Sequence, residues 1–261
     1  MGQGKKIDLN SDVGESFGNY RLGLDEEVIP LITSANIACG FHAGDPSVMR
    51  RTIRLARQNR VAVGAHPGLP DLIGFGRRYM EVSLEEIKDY VTYQIGALQA
   101  FANAEGLELQ HVKPHGALYN MAVQDVAIWE AMADVLAGLN RNLILVALAG
   151  PGKKELEAIG AHYGIRIAFE FFGDRAYNLD GTLVPRQEPG AVIQDHQLVS
   201  ERILKMVKEG KVVSKDGVEI EFTADTICVH GDNPAAVTLA KKNREVLLKS
   251  GIEIAPVGTF I

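Results

Sequence analysis

Residues 6–12, KIDLNSD, alternate apolar and polar side chains in a short run near the start of the chain. In an extended strand residues two apart share a face. Asp8, Asn10 and Asp12 therefore point one way, and Ile7 and Leu9 the other. This split suits a strand of a closed barrel, with the apolar set packed on surrounding helices and the polar set inside and at the C-terminal mouth. It recurs at Gly64 and His66 against Val63 and Ala65, at Lys113 and His115 against Val112 and Pro114, and at Cys228 and His230 against Ile227 and Val229. Each buried polar group left unsatisfied costs about 1–3 kcal/mol. Their convergence therefore predicts a polar pocket.

Working outward, short runs rich in β-branched residues alternate with longer segments of helical period. The predicted strands are 6–12, 35–42 (ANIACGFH), 61–66, 109–115, 143–148, 166–172 and 225–231. Helices are predicted at 46–60, 83–106, 125–140, 151–164, 194–210 and 233–250, with a short one near 25–33. Ser83 followed by Glu86 reads as a capping box, Asp125 and Asn233 as N-caps, and Gly106, Gly164, Gly210 and Gly251 as helix stops. A hairpin is expected as an insertion at 211–222, turning at Asp216 and Gly217. No linker divides the chain, so residues 1–261 are read as one α/β domain: a seven-stranded, TIM-like (β/α) barrel. Polar residues close nearly every strand instead of gathering at one switch point, which favours the barrel over a doubly wound sheet.

The 261 residues, 46% hydrophobic and 23% charged, exclude disorder, collagen and coiled coil. A formal charge of −6 argues against a nucleic-acid or anionic-membrane surface and leaves small molecules or proteins as partners. Cys39 and Cys228 have no metal-type spacing and read as small core residues. No leading apolar stretch and no run of about 18 apolar residues is seen, so a cytoplasmic protein is expected.

Four of the seven histidines, His42, His66, His115 and His230, close predicted strands. A hydrogen-bonded structural histidine is an ordinary reading of any one of them, but four together read as a site. His111 lies deeper in its strand and reads as structural, and His162 and His196 as surface residues. A helical zinc pair at His111 and His115 fails because Pro114 would break the helix. A metal held by Asp12, His66 and His115 stays open on residue type. The segment 166–178, RIAFEFFGDRAYN, brings Glu170, Asp174, Arg175 and Tyr177 close together. The Gly/Pro loop within 64–78, ending in Arg77 and Arg78, has the length of a binding loop. Residues 150–154, GPGKK, lack the spacing and the Ser/Thr of a phosphate-binding loop. The arginines between 50 and 60 read as a solvated helix face.

Together the runs DLNSDVGE (8–15), NIACGFHAGD (36–45), GAHPGLPD (64–71), VKPHGALYN (112–120), Glu-x-x-x-Asp-Arg-x-Tyr (170–177) and CVHGDN (228–233) resemble the LamB/YcsF family along essentially the whole chain. Gly173 stands where that family is expected to have alanine, with no chemical consequence. The resemblance implies a barrel of the glycoside hydrolase/deacetylase type, acting with two further 5-oxoprolinase subunits, B and C. It implies ATP-dependent opening of the 5-oxo-L-proline lactam to L-glutamate, with ATP used together with Mg2+. On this reading Lys113 and Arg175 hold the substrate carboxylate or the phosphoryl group. Asp12, His66 and His115 orient and deprotonate water, His230 is the acid for the leaving nitrogen, and Glu170 is an alternative base. Asn10 and His42 bond the ring amide, and Asp45 and Asp174 complete the substrate-binding set. Two other readings remain: a metal-dependent amidohydrolase or deacetylase on the same barrel, and a non-catalytic subunit that captures a ligand.

Overall fold

The computed structural model describes residues 5–231 and 234–261. The first six strands of the barrel are β1 (Lys6–Val13), β2 (Ser34–Ala38), β3 (Ala62–His66), β4 (Leu109–Val112), β5 (Ile144–Leu148) and β6 (Arg166–Phe172). A hairpin of β7 (Lys211–Val213) and β8 (Glu219–Glu221) stands apart, and β9 (Thr226–Cys228) is the seventh barrel strand. The seven pair in parallel in chain order, and β9 closes the ring by pairing with both β6 and β1. The structure is thus a TIM-like (β/α)7 barrel. A two-residue strand, β10 (Glu253–Ile254), lies outside the ring beside the start of β1.

The helices are α1 (Asp25–Val28), α2 (Pro46–Gln58), α3 (Leu84–Ala104), α4 (Gly116–Gln124), α5 (Val126–Leu139), α6 (Lys153–Tyr163), α7 (His196–Glu209) and α8 (Pro234–Lys249). Ser83 and Glu86 form the capping box of α3, and Asp125 caps α5. Asn233 lies outside the described residues. Among the described residues no helix is long and apolar enough to cross a membrane.

Three strands stop before the sequence pattern suggests. The run 35–42 ends at Ala38 because Gly40 turns the chain at φ +93°. The run 109–115 ends at Val112, before Pro114, which has no N–H to give. The run 225–231 is a strand only over Thr226–Cys228. The candidate site histidines His42, His115 and His230 consequently lie beyond the ends of the strands. Helix α4 is absent from the sequence reading, since its cap His115 makes no side-chain capping bond and no Ser, Thr, Asp or Asn marks its start.

The faces divide as the alternation predicts. Ile7, Leu9, Ile37, Val63 and Ala65 are buried in the layer between strands and helices, together with Ile53, Val91, Leu98 and Met132. Inside the ring a hydrogen-bonded network replaces water. Asp8 accepts from the hydroxyls of Thr33, Ser34 and Thr226, and Asn10 Nδ2 donates to Thr226 Oγ1 at 2.7 Å. Asn36 Nδ2 donates to Asn10 Oδ1 at 2.7 Å. Burial pushes the Asp8 carboxyl up to about 6, although three hydroxyls pull it down. At the opposite end from the mouth, Ile144, Val146 and Ala168 pack on Val257 of the C-terminal segment, which plugs the barrel.

One close approach sets the shape of the interior. His111 Nε2 bonds Asn36 Oδ1 at 2.7 Å, and its ring lies across Gly64, where the register of β3 on β4 shifts. A Cβ on residue 64 would fall inside that imidazole. We expect Gly64→Ala to destabilise the protein by about 3 kcal/mol in denaturant unfolding, and the double substitution with His111→Ala to recover most of it. A single substitution within 0.5 kcal/mol of the parent would refute this account, by the usual scale of neutral changes.

Candidate active site

At the mouth, the chain after β4 keeps following β3: Lys113 N donates to Ala65 O at 2.9 Å, and His115 N to Pro67 O at 2.8 Å. This places the Lys113 ammonium inside the barrel, 2% exposed. Its Nζ lies 2.9 Å from Asp12 Oδ1 and 2.8 Å from Glu170 Oε1, with Asn10 Oδ1 at 3.3 Å and Cys228 Sγ at 3.4 Å. Burial alone would lower the Lys113 pKa, but Asp12, Cys228 and Glu170 hold it well above the ordinary range. Burial likewise works against the Asp12 carboxylate, and His66 and Lys113 override it and keep its pKa well below normal. Glu170 is fully buried, and Tyr119 donates to its Oε2 at 3.2 Å. Lys113 is therefore a neutralised centre and not a free cation.

Above this triad sit three histidines and Glu15. His66 Nδ1 lies 2.7 Å from Lys113 O, and His115 Nε2 lies 2.8 Å from Phe75 O. A carbonyl oxygen only accepts, so these two ring nitrogens carry the hydrogens. His66 Nε2 and His115 Nδ1 then face each other at 3.0 Å, each with a lone pair when the rings are neutral. His115 is kept neutral: burial first, and then His42 and His66, hold its pKa well below normal. His42 is fully buried and stacked on His115 with ring centroids 3.7 Å apart, and neither of its nitrogens has a hydrogen-bond partner. Glu15 Oε1 is 3.6 Å from His42 Nε2 and 3.9 Å from His115 Nδ1. Burial, reinforced by Asp12, pushes the Glu15 carboxyl up to about 7.

One ligand atom from each of Glu15, His42, His66 and His115 can lie within 4.8 Å of the others. Three imidazoles and a carboxyl group, with the Nε2 of His66 and the Nδ1 of His115 turned toward one another, have the donor chemistry that suits a divalent first-row ion. Backbone carbonyls holding the far N–H of His66 and His115 supply the outer support that such ligands use. Of the trio Asp12, His66 and His115 that residue type leaves open, His66 and His115 belong to this group, while Asp12 Oδ1 is taken by Lys113 and by Asn36, which donates to it at 2.8 Å, and Asp12 Oδ2 lies 3.4 Å from His66 Nε2.

The loop after β3 encloses these rings. Gln94 clamps it by accepting from Gly68 N and donating to Gly68 O, both at 2.9 Å. A Cβ on Gly68 would come 2.7 Å from His42 Nδ1, and one on Gly76 2.6 Å from His42 Cβ. Phe75, whose carbonyl fixes His115, has φ +55°, a strained value for a side chain of that size.

The remaining expected residues separate into mouth and scaffold. His230 Nδ1 pairs with Asp174 Oδ2 at 2.8 Å, and both are partly open to the mouth. Arg175 turns inward and donates to Val184 O at 2.6 Å and Ala191 O at 3.3 Å, pinning the loop after β6 instead of facing a substrate. Asp45 caps α2, with Oδ1 accepting from Ser47 N and Val48 N, while Oδ2 accepts from Gly18 N. Both oxygens of its carboxylate are spent, which corrects its expected role in substrate binding. Asn10 is also used up in the interior network, and Glu170, held by Lys113 and Tyr119, has no access to water. Glu15 and Tyr119 went unselected in the sequence. Glu15 lies beyond the strand, off the two-residue alternation, and reaches the site because Gly14 turns the chain at φ +70°.

Comparison with known proteins agrees from end to end. The model of the LamB/YcsF family matches residues 7–261. A protein of Thermococcus onnurineus, named as the A subunit of 5-oxoprolinase, is 58% identical over 256 residues, covering 98% of this chain and 99% of its own. A protein of the same name from Campylobacter jejuni is 51% identical over 256 residues, again covering 98% and 99%. Among solved structures, the lactam utilization protein of Thermus thermophilus superposes with a TM-score of 0.90 at 48% identity, covering 96% of this chain and 99% of that one.

Proposed function

The chain belongs to the LamB/YcsF family, and on that premise we propose that it is the A subunit of a 5-oxoprolinase, opening the lactam of 5-oxo-L-proline to L-glutamate together with subunits B and C. The observation that carries this reading is the meeting of five separated sequence motifs, through Asp12 and Glu15, His42, His66, Lys113 and His115, and Glu170, at one barrel mouth. The full-length likeness to proteins bearing that name supports it.

A five-membered lactam is an unreactive amide. ATP, with Mg2+, is the proposed activator: its terminal phosphoryl group passes to the amide oxygen and ADP leaves. Water adds to the ring carbon as the C–N bond breaks, and a second water releases phosphate, so one ATP and two waters are consumed per glutamate. With no ion on its Nε2, His66 and Glu15 hold and accept protons from the attacking water, and the Asp12 carboxylate, its Oδ2 3.4 Å from Nε2, stabilises the imidazolium that forms. His230 gives its proton to the departing nitrogen. Burial disfavours its charged form, but Asp174 more than compensates and raises its pKa. A divalent ion held by Glu15, His42, His66 and His115 would polarise the lactam oxygen and acidify water.

Reconstitution with subunits B and C tests this reading. Glutamate and ADP should form in equal amounts and only with 5-oxo-L-proline present, and absence of glutamate overturns the reading. Glutamate formed without ATP would instead support the metal-dependent amidohydrolase reading that the donor set also suits. The same assay addresses His230. Activity needs its charged form, so the rate falls as pH rises through its pKa. Asp174→Asn removes the group that raises that pKa, and the alkaline limb should move to lower pH by about one unit. An unmoved limb would remove His230 as the acid.

A further inference from the structure

We infer that Asp25 is a positioning residue for Glu15: through the amide of Gly14 it ties the turn that carries Glu15 to an anchored helix, and so holds the Glu15 carboxyl group against the histidines. The consequence for catalysis rests on the 5-oxoproline reading above, whereas the placement of Glu15 does not.

The barrel ladder gives Glu15 no support of its own. Strand β1 pairs with β2 as far as Val13 on Ile37. Gly14 N is the first amide past that ladder, and it donates to Asp25 Oδ2 at 3.0 Å. Gly14 has φ +70°, and a Cβ on it would come 3.2 Å from both Ile37 Cγ2 and Thr52 Oγ1, so the turn is closely packed as well as bonded. One residue on, Glu15 Oε1 lies 3.6 Å from His42 Nε2 and 3.9 Å from His115 Nδ1. After Glu15, Ser16 Oγ donates to Leu22 O at 3.2 Å and accepts from Leu22 N at 3.1 Å, which closes the loop on itself. Gly18 N donates to Asp45 Oδ2 at 2.8 Å, but that bond is exposed to water, whereas the bond from Gly14 to Asp25 is partly buried.

Asp25 is a fixed point because α1 is anchored on both sides. Leu24 N donates to Gly231 O at 2.8 Å, in the chain leaving β9, and Glu27 N and Val28 N both donate to Leu24 O at 2.9 Å. Val28 and Ile29 are buried in the core. A Cβ on Gly231 would come 2.8 Å from Val28 Cβ, so the chain beyond His230 lies flush against the helix. Leu24 and Asp25, adjacent in sequence, thus join the exit of β1 to the exit of β9. Glu15 and His230, proton acceptor and proton donor in the proposed reaction, are each one residue from a bond to this short helix. Removing the Asp25 carboxylate leaves a partly buried amide without its acceptor, and the turn relaxes. A misplacement of about 1 Å in such a site costs on the order of a hundredfold in rate.

The test compares Asp25→Ala with Asp25→Asn, in the full chain alone and reconstituted with subunits B and C. Asp25→Ala should lower kcat for 5-oxo-L-proline by about ten- to hundredfold, the usual effect of losing an outer support, with KM within about threefold. Asp25→Asn keeps an oxygen for Gly14 N and should bring kcat back to within about threefold of the parent. In a Glu15→Gln background, Asp25→Ala should cost less than about threefold more, because the group it positions is already gone. Equal losses in the two backgrounds, or an asparagine variant as slow as the alanine one, would show a general structural role and overturn the inference. In the chain alone, the carbon–proton ring resonances of His42 and His115 should move in Asp25→Ala in the direction they take in Glu15→Gln, with those of His162 unmoved. Resonances of His42 and His115 left at their parental positions overturn it equally. If the reconstituted parent does not turn over 5-oxo-L-proline, the reading above fails, and the ring resonances still decide the placement of Glu15.

Discussion

Replacing Lys113 by methionine is expected to destabilise the protein by about 3–5 kcal/mol, the cost of breaking a buried ion pair from one side. For a domain of this size that lowers Tm by roughly 10 °C. Methionine fills much the same space, so the loss is electrostatic. Asp12 and Glu170, 2.9 and 2.8 Å from the ammonium, would be left facing one another with no counter-charge. Adding Glu170→Gln removes one of the two charges and should recover part of the loss, although Tyr119 would keep a weaker partner. Thermal and denaturant melts of the single and double variants check this. A double variant no more stable than the single would show that carboxylate repulsion is not the cause. Activity should fall with the single variant in any case, because Asp12 loses the partner that fixes its orientation toward His66.

Replacing His66 by alanine should lower kcat of the reconstituted enzyme by about a thousandfold, within the range that general acid–base groups supply. The imidazole is the hub of the site: its Nδ1 is tied to Lys113 O at 2.7 Å, and its Nε2 faces His115 Nδ1 at 3.0 Å and Asp12 Oδ2 at 3.4 Å. Its removal also takes one of the four ligand atoms from the donor set. Any divalent ion that the parent retains through gel filtration should be reduced in the variant, as measured by elemental analysis. His162, exposed on α6, provides the control, and His162→Ala should leave kcat unchanged. A His66→Ala enzyme within tenfold of the parent would remove the histidine cluster from the chemistry.

Much of this was legible before folding. The two-residue alternation of 6–12 assigned Asp8, Asn10 and Asp12 to one face, and that face is the barrel interior. The seven strand positions followed from the same periodicity. Less legible was where each strand stops, since Gly40 and Pro114 end pairing through local backbone geometry and not through a change in hydrophobic pattern. Glu15 was hidden for the same reason: a glycine at positive φ returns it to the site from outside the strand register. Asp45 misled because a carboxylate in a polar run reads the same whether it meets a substrate or caps a helix.

By itself, the sequence determined the barrel and the side of each strand on which chemistry would lie, because face and period are set by neighbours two to four residues away. Only the tertiary structure decided which charges cancel. Lys113 meets Asp12 across 101 residues of chain, and His66 meets His115 across 49. Coulomb energy and desolvation depend on distance and burial, which no local pattern encodes. That is why Lys113, read from the sequence as a cation for substrate, is in the folded protein a partner of two carboxylates.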